Sequence, residues 1–277
     1  AALASADRSA PDFATAVSND YARRRSTDLL RTGTFVDTLF RSLLSDFLPS
    51  QATRADLMAL LSVPADKITV HMLGVDAMFQ PAPAEAIQAC RARWGLPAQY
   101  VLFVGTFEPR KNIPTLLRAY DLLRRDLPDA PPLVLAGRRG WLYDDIQRTA
   151  EALALDEHLI WVENPPRDDL PALYSGAAAL ALPSHYEGFG LTALEAMACG
   201  TPPVVSERSS LPEVAGDAGL LVNPDDAGSI ADALRRLLTD SALRNTLRAA
   251  GLARAATFTW RRTAEIVREV YARVMAE

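Results

Sequence analysis

Apolar residues along the chain fall into short unbroken runs separated by stretches of helical periodicity. The runs are YVLFVG at 100–105, PLVLAG at 132–137, LIWV at 159–162, AALAL at 178–182, PVV at 203–205 and GLLV at 219–222. Runs of this length without polar alternation predict strands covered on both faces. Between the first two, IPTLLRAYDLLRRDL (113–127) places apolar residues at 113, 116, 117, 120, 123 and 127, the spacing of an amphipathic helix. Strand and helix go on alternating down the chain. That order predicts an α/β fold, a parallel sheet wound on both faces by right-handed crossovers, with ligands expected beyond the carboxyl ends of the strands.

Before the first run the pattern is less regular. It predicts a helix at 21–30, a strand at 46–50 (DFLPS), a helix at 51–61 (QATRADLMALL) and a strand at 67–73 (KITVHML), a fragment of another α/β layer. Pro81 and Pro83 mark a linker.

Composition changes the picture only by exclusion. A chain of 277 residues, 49% hydrophobic and 23% charged, can bury one large core or two smaller ones, and disorder is not expected. A net charge of −5 lacks the clustered basic excess of a nucleic-acid binder. The two cysteines, Cys90 and Cys199, are too few for a disulfide framework or a thiolate metal site and fit a reducing compartment. The opening AALASADRSAPD lacks a signal-peptide apolar core, and no run approaches the roughly 18 apolar residues of a membrane span. A cytoplasmic location is expected. The runs RRR (23–25) and RRLL (235–238) read as solvated faces, with peripheral contact at anionic lipid as the alternative.

Polar residues and glycines gather where the strands end: Gly105-Thr106 with Arg110 and Lys111, Gly137-Arg138, Glu163-Asn164, Ser184 through Gly190, and Ser206. One stretch is the most informative. AALAL, PSHYEGFG and LTALEAMAC, closed by Gly200, form a strand-turn-helix unit. Gly188 and Gly190 allow a ligand to approach the backbone, and the helix start offers free amides and a positive dipole end suited to phosphate. Glu187 sits in the turn and Glu195 about one helical turn inside the helix. A carboxylate repels phosphate, so both glutamates suit hydroxyl groups, with Arg110 and Lys111 supplying positive charge for a diphosphate. SSLPE, from Ser209 to Glu213, has capping-box spacing and predicts a helix start.

The segments FVGTFEPRKN, PSHYEGFGLTALEAMACGTPPVVS, SSLPEVAGDAGLLVNPDD and FTWRRTAEIVREVYARV together resemble the carboxyl-terminal half of the family 4 retaining glycosyltransferases of the GT-B fold, from about Asp46 onward. The resemblance implies a partial N-terminal, acceptor-side α/β domain (1–73), a Rossmann-like nucleotide-sugar-binding domain (74–258) and a C-terminal helix that packs back across the cleft (259–277). It implies that Arg110 and Lys111 bind the donor diphosphate, with Gly105 allowing close approach. Glu187 would bind donor-sugar hydroxyls, helped by the backbone of Phe189, Gly190 and Leu191, Glu195 would bind the ribose, and Gly188 and Thr192 would also border the donor. Many relatives carry proline where Thr192 stands, and a glycine within the segment occupied here by VENPP (162–166).

The implied reaction transfers a hexose with retention from a nucleotide-diphosphate sugar to a glycan or lipid-linked acceptor, with no metal and no cofactor. The motif wording points to GDP-mannose ahead of a UDP-hexose. The short stretch before the second domain implies a truncated first domain and weak or absent transfer by this chain alone. A noncatalytic nucleotide-sugar-binding module is the alternative reading.

Overall fold

A computed structural model describes residues 50–140 and 143–276. The predicted helix at 21–30 and nearly all of the predicted 46–50 strand lie outside those residues. The described part opens with helix α1 (Gln51–Leu61) and α2 (Ala84–Trp94). Six strands then alternate with helices: β1 (Val101–Val104), α3 (Ile113–Asp126), β2 (Leu133–Gly137), α4 (Tyr143–Ala152), β3 (Leu159–Glu163), α5 (Leu170–Gly176), β4 (Ala179–Leu182), α6 (Leu191–Ala198), β5 (Pro203–Ser206), α7 (Leu211–Ala215) and β6 (Leu220–Val222). Helices α8 (Ala227–Thr239), α9 (Ser241–Ala255) and α10 (Trp260–Ala276) complete the chain.

The strands form one parallel sheet in the order β3-β2-β1-β4-β5-β6. Every residue of β1, β4 and β5 is buried, as unbroken apolar runs require when helices cover both faces. Helix α3 packs between α4 and α8, and α6 contacts α5, α7 and α9. The apolar stripe read from the sequence is the buried face of α3: Ile113, Leu116, Leu117, Tyr120 and Leu123 all turn inward. Burying side chains of this size contributes about 1.5–3 kcal/mol each before conformational entropy is set against it.

Strand order decides where a ligand can sit. The chain runs outward from β1 to β2 and β3, then returns to lay β4 on the other side of β1, so the connections diverge between β1 and β4. That divergence opens a crevice beyond the carboxyl ends of those two strands. The segments that follow them are the two richest in candidate chemistry, FVGTFEPRKN and PSHYEGFG.

One expectation fails in the amino-terminal part. Residues 67–73 do not form a named strand; Ala65–Lys67 is a 3-10 turn and only a single bridge forms at Val70. Periodicity misleads here because the segment is used as a tie. Thr263 on α10 donates to the Met72 carbonyl at 2.6 Å, and the Val75 amide donates to the Phe258 carbonyl at 3.0 Å. Helix α10 is thereby fastened to 69–75, with Val270 buried and Trp260 and Tyr271 half exposed.

The approach of β1 to β2 at their ends leaves no room for a side chain. A β-carbon on Gly137, which has φ 153°, would lie 1.8 Å from the Gly105 carbonyl oxygen. Gly137→Ala is therefore expected to lower the unfolding free energy by about 2–4 kcal/mol, measured by urea denaturation. A loss below about 0.5 kcal/mol would show that the strand ends are not locked together.

Candidate functional site

Strand β1 hands the chain to a 3-10 turn at Pro109–Lys111, which puts Arg110 and Lys111 at the mouth of the crevice. Asn112 then holds φ 58°, and its side-chain amide donates to the carbonyls of Pro183 at 3.1 Å and Pro224 at 2.7 Å. One buried asparagine thus ties the end of β1 to the loops after β4 and β6. Asparagine suits the position because it tolerates the left-handed region and carries two donors.

Across the crevice, Glu187 is 7% exposed and sits between the two cations. Lys111 Nζ lies 2.5 Å from Oε1, Arg110 Nη1 lies 2.7 Å from Oε2, and the Ser184 hydroxyl donates to Oε1 at 2.8 Å. Arg110 also reaches Glu108 at 2.6 Å. Burial pushes the Glu187 carboxyl up, but Lys111, Arg110 and Ser184 outweigh it and hold the group below its ordinary value. For Arg110, burial disfavours the charge, yet Glu187 and Glu108 raise its pKa. The backbone of Glu187 is clamped as well: its amide donates to Ser209 Oγ at 3.0 Å, and its carbonyl accepts from Ser210 at 2.8 Å.

Arg110, Lys111 and Glu187 therefore belong to one cluster at the switch point. The positive charge expected from elsewhere is in direct contact with the carboxylate. Gly105 borders the same cluster, since a β-carbon there would lie 3.5 Å from Lys111 Cε.

Gly188 is open, with no atom within 4 Å of where its β-carbon would be. Its carbonyl accepts from Ser50 and Thr53, both at 3.1 Å. Gly190 has φ 107° and is the N-cap of α6 without any side-chain cap, so glycine is required by backbone conformation and the helix start is left uncapped. Phe189 is buried and stacks edge-on against Phe258 at 6.1 Å. Leu191, at the first turn of α6, is 40% exposed.

Glu195 lies in a different environment from Glu187. Tyr174, fully buried on α5, donates to Glu195 Oε2 at 2.8 Å, and Thr192 hydrogen-bonds the same phenol. Burial raises the Glu195 carboxyl above its ordinary value, outweighing Tyr174 and the nearby Arg167. Thr192 is thus a support for Tyr174.

Sequence reasoning missed the clamp. Ser209 and Ser210 hold Glu187, and neither caps α7, which has no side-chain cap at all. Glu213 reaches away from its own helix and accepts from the Gln51 and Ala52 amides, both at 2.8 Å, capping α1. Tyr186 donates to Asp56 at 2.8 Å and adds a second tie to α1. A capping-box pattern cannot distinguish a glutamate serving its own helix from one serving another. Among the described residues no group of three or more His, Cys, Asp or Glu side chains is placed to hold a metal ion, and no helix is long and apolar enough to cross a membrane.

A parallel sheet in this order, with the Arg110–Lys111–Glu187 cluster at its switch point, defines a doubly wound domain of the α/β class. The chain belongs to the glycosyl transferases group 1 family, whose model matches residues 91–254. It is 40% identical over 213 residues to the O-antigen chain mannosyltransferase B of Escherichia coli, a match covering 76% of this chain and 56% of that protein. It is 36% identical over 236 residues to a D-inositol 3-phosphate glycosyltransferase of Salinispora arenicola, covering 80% of this chain and 53% of the relative. The chain thus spans little more than half the length of these relatives. Among solved structures, sucrose-phosphate synthase from Thermosynechococcus elongatus superposes with a TM-score of 0.73 at 29% identity, covering 90% of this chain and 63% of that one. Anabaena HepE, solved with UDP and glucose, shares the fold at TM-score 0.73 and 19% identity, over 83% of this chain and 63% of its own. The fold is that of the GT-B glycosyltransferases.

The buried cluster makes a quantitative statement about stability. Lys111→Met leaves Glu187 with Arg110 as its one cation, at a cost of about 3 kcal/mol at pH 7. The folded protein holds Glu187 below the unfolded carboxyl value of about 4.3. Its contribution is therefore complete above that value and is lost as pH falls through the folded-state pKa. Urea melts across pH should show the gap between wild type and Lys111→Met narrowing only in that acidic window. A pH-independent gap would mean the ion pair does not hold Glu187.

Proposed function

We propose that this chain carries the donor site of a retaining hexosyltransferase, which transfers mannose from a nucleotide-diphosphate sugar, GDP-mannose ahead of a UDP-hexose, to a glycan or lipid-linked acceptor. The observation that carries the reading is the Arg110–Lys111–Glu187 cluster at the switch point, in a chain 40% identical to a mannosyltransferase. In this reading Arg110 and Lys111 face the diphosphate and Gly105 lets it approach. Glu187 accepts hydrogen bonds from hydroxyls of the donor sugar, and Glu195 from the ribose. The amides of Phe189, Gly190 and Leu191 line the passage between them.

Cleavage of the glycosidic bond leaves negative charge on the departing nucleoside diphosphate and positive charge on the sugar ring. Arg110, Lys111 and the uncapped start of α6 are suited to the first, and the ionised Glu187 to the second. Retention of configuration and the cytoplasmic side as place of action are part of the same proposal. A thermal-shift panel of GDP-, UDP- and ADP-sugars tests it, because a ligand of the native state raises the melting point. A shift with one nucleotide series is expected, and none with any would overturn the reading.

Glu195 offers a sharper test. Its carboxyl is raised in the folded state, so ionisation costs stability once the pH rises above the unfolded value, and the full cost is present above the folded-state pKa. Glu195→Gln removes that cost and keeps a partner for Tyr174. The variant should be at least as stable as wild type at pH 7 and bind the nucleotide at least tenfold more weakly, by calorimetry. Equal affinity would sink the ribose assignment.

A further inference from the structure

The charges at the mouth of the crevice nearly cancel. Arg110 and Lys111 are both paired with Glu187, and Arg110 with Glu108 besides, so two cations face two carboxylates. A diphosphate brought there would meet no net positive charge from this cluster. The other basic side chains of the same edge are also committed: Arg139 to Glu163 and the face of Tyr143, Arg167 to Asp76, and Arg208 to Asp225.

Arg138 differs. It lies just past the carboxyl end of β2 and is exposed, and among the described residues its side chain donates to a neutral hydroxyl, Thr106 Oγ1 at 3.2 Å. Its backbone is fixed on both sides. The Phe107 amide donates to the Arg138 carbonyl at 2.9 Å, and Gly137 is pressed against Gly105. Gly105 in turn borders Lys111. Arg138 and Lys111 therefore flank the same bare stretch of backbone.

We propose that Arg138 is a phosphate-binding residue of this site, supplying the unneutralised charge for the diphosphate of a nucleotide ligand, and that the Thr106 hydroxyl is the positioning residue that holds its guanidinium toward Gly105. The proposal rests on the donor-site reading above and adds to it the side chain that breaks the charge balance. A guanidinium suits the task because its fork of donors matches two phosphate oxygens, whereas a lysine offers a single ammonium. Thr106 donates no charge, so the arginine stays available to the ligand.

The test uses the full chain and two probes, GDP and UDP, with calorimetric Kd measured for wild type, Arg138→Gln, Arg138→Lys and Thr106→Val. For whichever probe wild type binds, Arg138→Gln should raise Kd about tenfold to a hundredfold, and Arg138→Lys less. Thr106→Val should raise it by a smaller factor. The dependence of Kd on salt should become shallower in Arg138→Gln than in wild type, a change that a purely structural role would not produce. Melting temperatures should match, because the side chain is exposed. Kd within twofold of wild type in Arg138→Gln, or an unchanged salt dependence, overturns the assignment. Failure of wild type to bind either probe is a separate outcome, which overturns this proposal together with the GDP- or UDP-sugar donor it rests on.

Discussion

The structure turns on a carboxylate buried between two cations. Glu187 belongs to the loop after β4 and Lys111 to the turn after β1, and those strands are neighbours only because the sheet reverses its direction of growth there. Burying either charge alone would cost several kcal/mol, so the two loops are stable only when they meet. Asn112 makes the same closure with neutral groups, since its amide spans to Pro183 and Pro224. Ion pair and amide together fix the width of the crevice before any ligand arrives. Such preorganisation is what a site needs if its dipoles are to act without rearranging during reaction.

Glu187 in the turn after β4 and Glu195 on α6 illustrate how one motif holds two environments. Glu187 is lowered by Lys111 and Arg110 against the effect of burial, and stays ionised. Glu195 is raised by burial, with a tyrosine in place of a cation beside it. A carboxylate held by charge is rigid, whereas one held by a single phenol can exchange that hydrogen bond for another from a ligand hydroxyl. In the proposed reading this suits Glu187 to the reacting sugar, where position matters most, and Glu195 to a remote anchor.

Much of the fold was legible in the sequence because the sheet is parallel. Strands buried on both faces appear as unbroken apolar runs, and each of the runs from 100–105 to 219–222 is a strand to within about two residues. The helix at 113–126 was legible from its stripe, and α1 from its run before Ser62. The segment 67–73 was misread because apolar spacing reports burial, and among the described residues this segment is tied to α10 and the Phe258 carbonyl before it. At the site, Arg110, Lys111 and Glu187 stood out by residue type. Their mutual pairing did not, because contacts between residues more than seventy positions apart depend on strand order, which no local pattern encodes. Ser209, Ser210 and Asn112 were hidden for the same reason: each serves a backbone group contributed by another loop.

The turn that carries Glu187 is also where α1 is held, and this joins the two parts of the described chain. Gly188 offers its carbonyl to Ser50 and Thr53, Tyr186 binds Asp56, and Glu213 caps the first amides of α1. Glu213 sits three residues beyond Ser210, which binds the Glu187 carbonyl. A displacement of α1 would therefore pull on both sides of the Glu187 backbone, through Gly188 on one and through α7 on the other. Hydrogen bonds to carbonyls, amides and one tyrosine are weak enough to exchange individually, at about 0.5–1.5 kcal/mol each, but they act on a loop that the ion pair makes stiff. The amino-terminal segment is thus coupled to the crevice through backbone groups, while the charges that would meet a ligand remain on the sheet side.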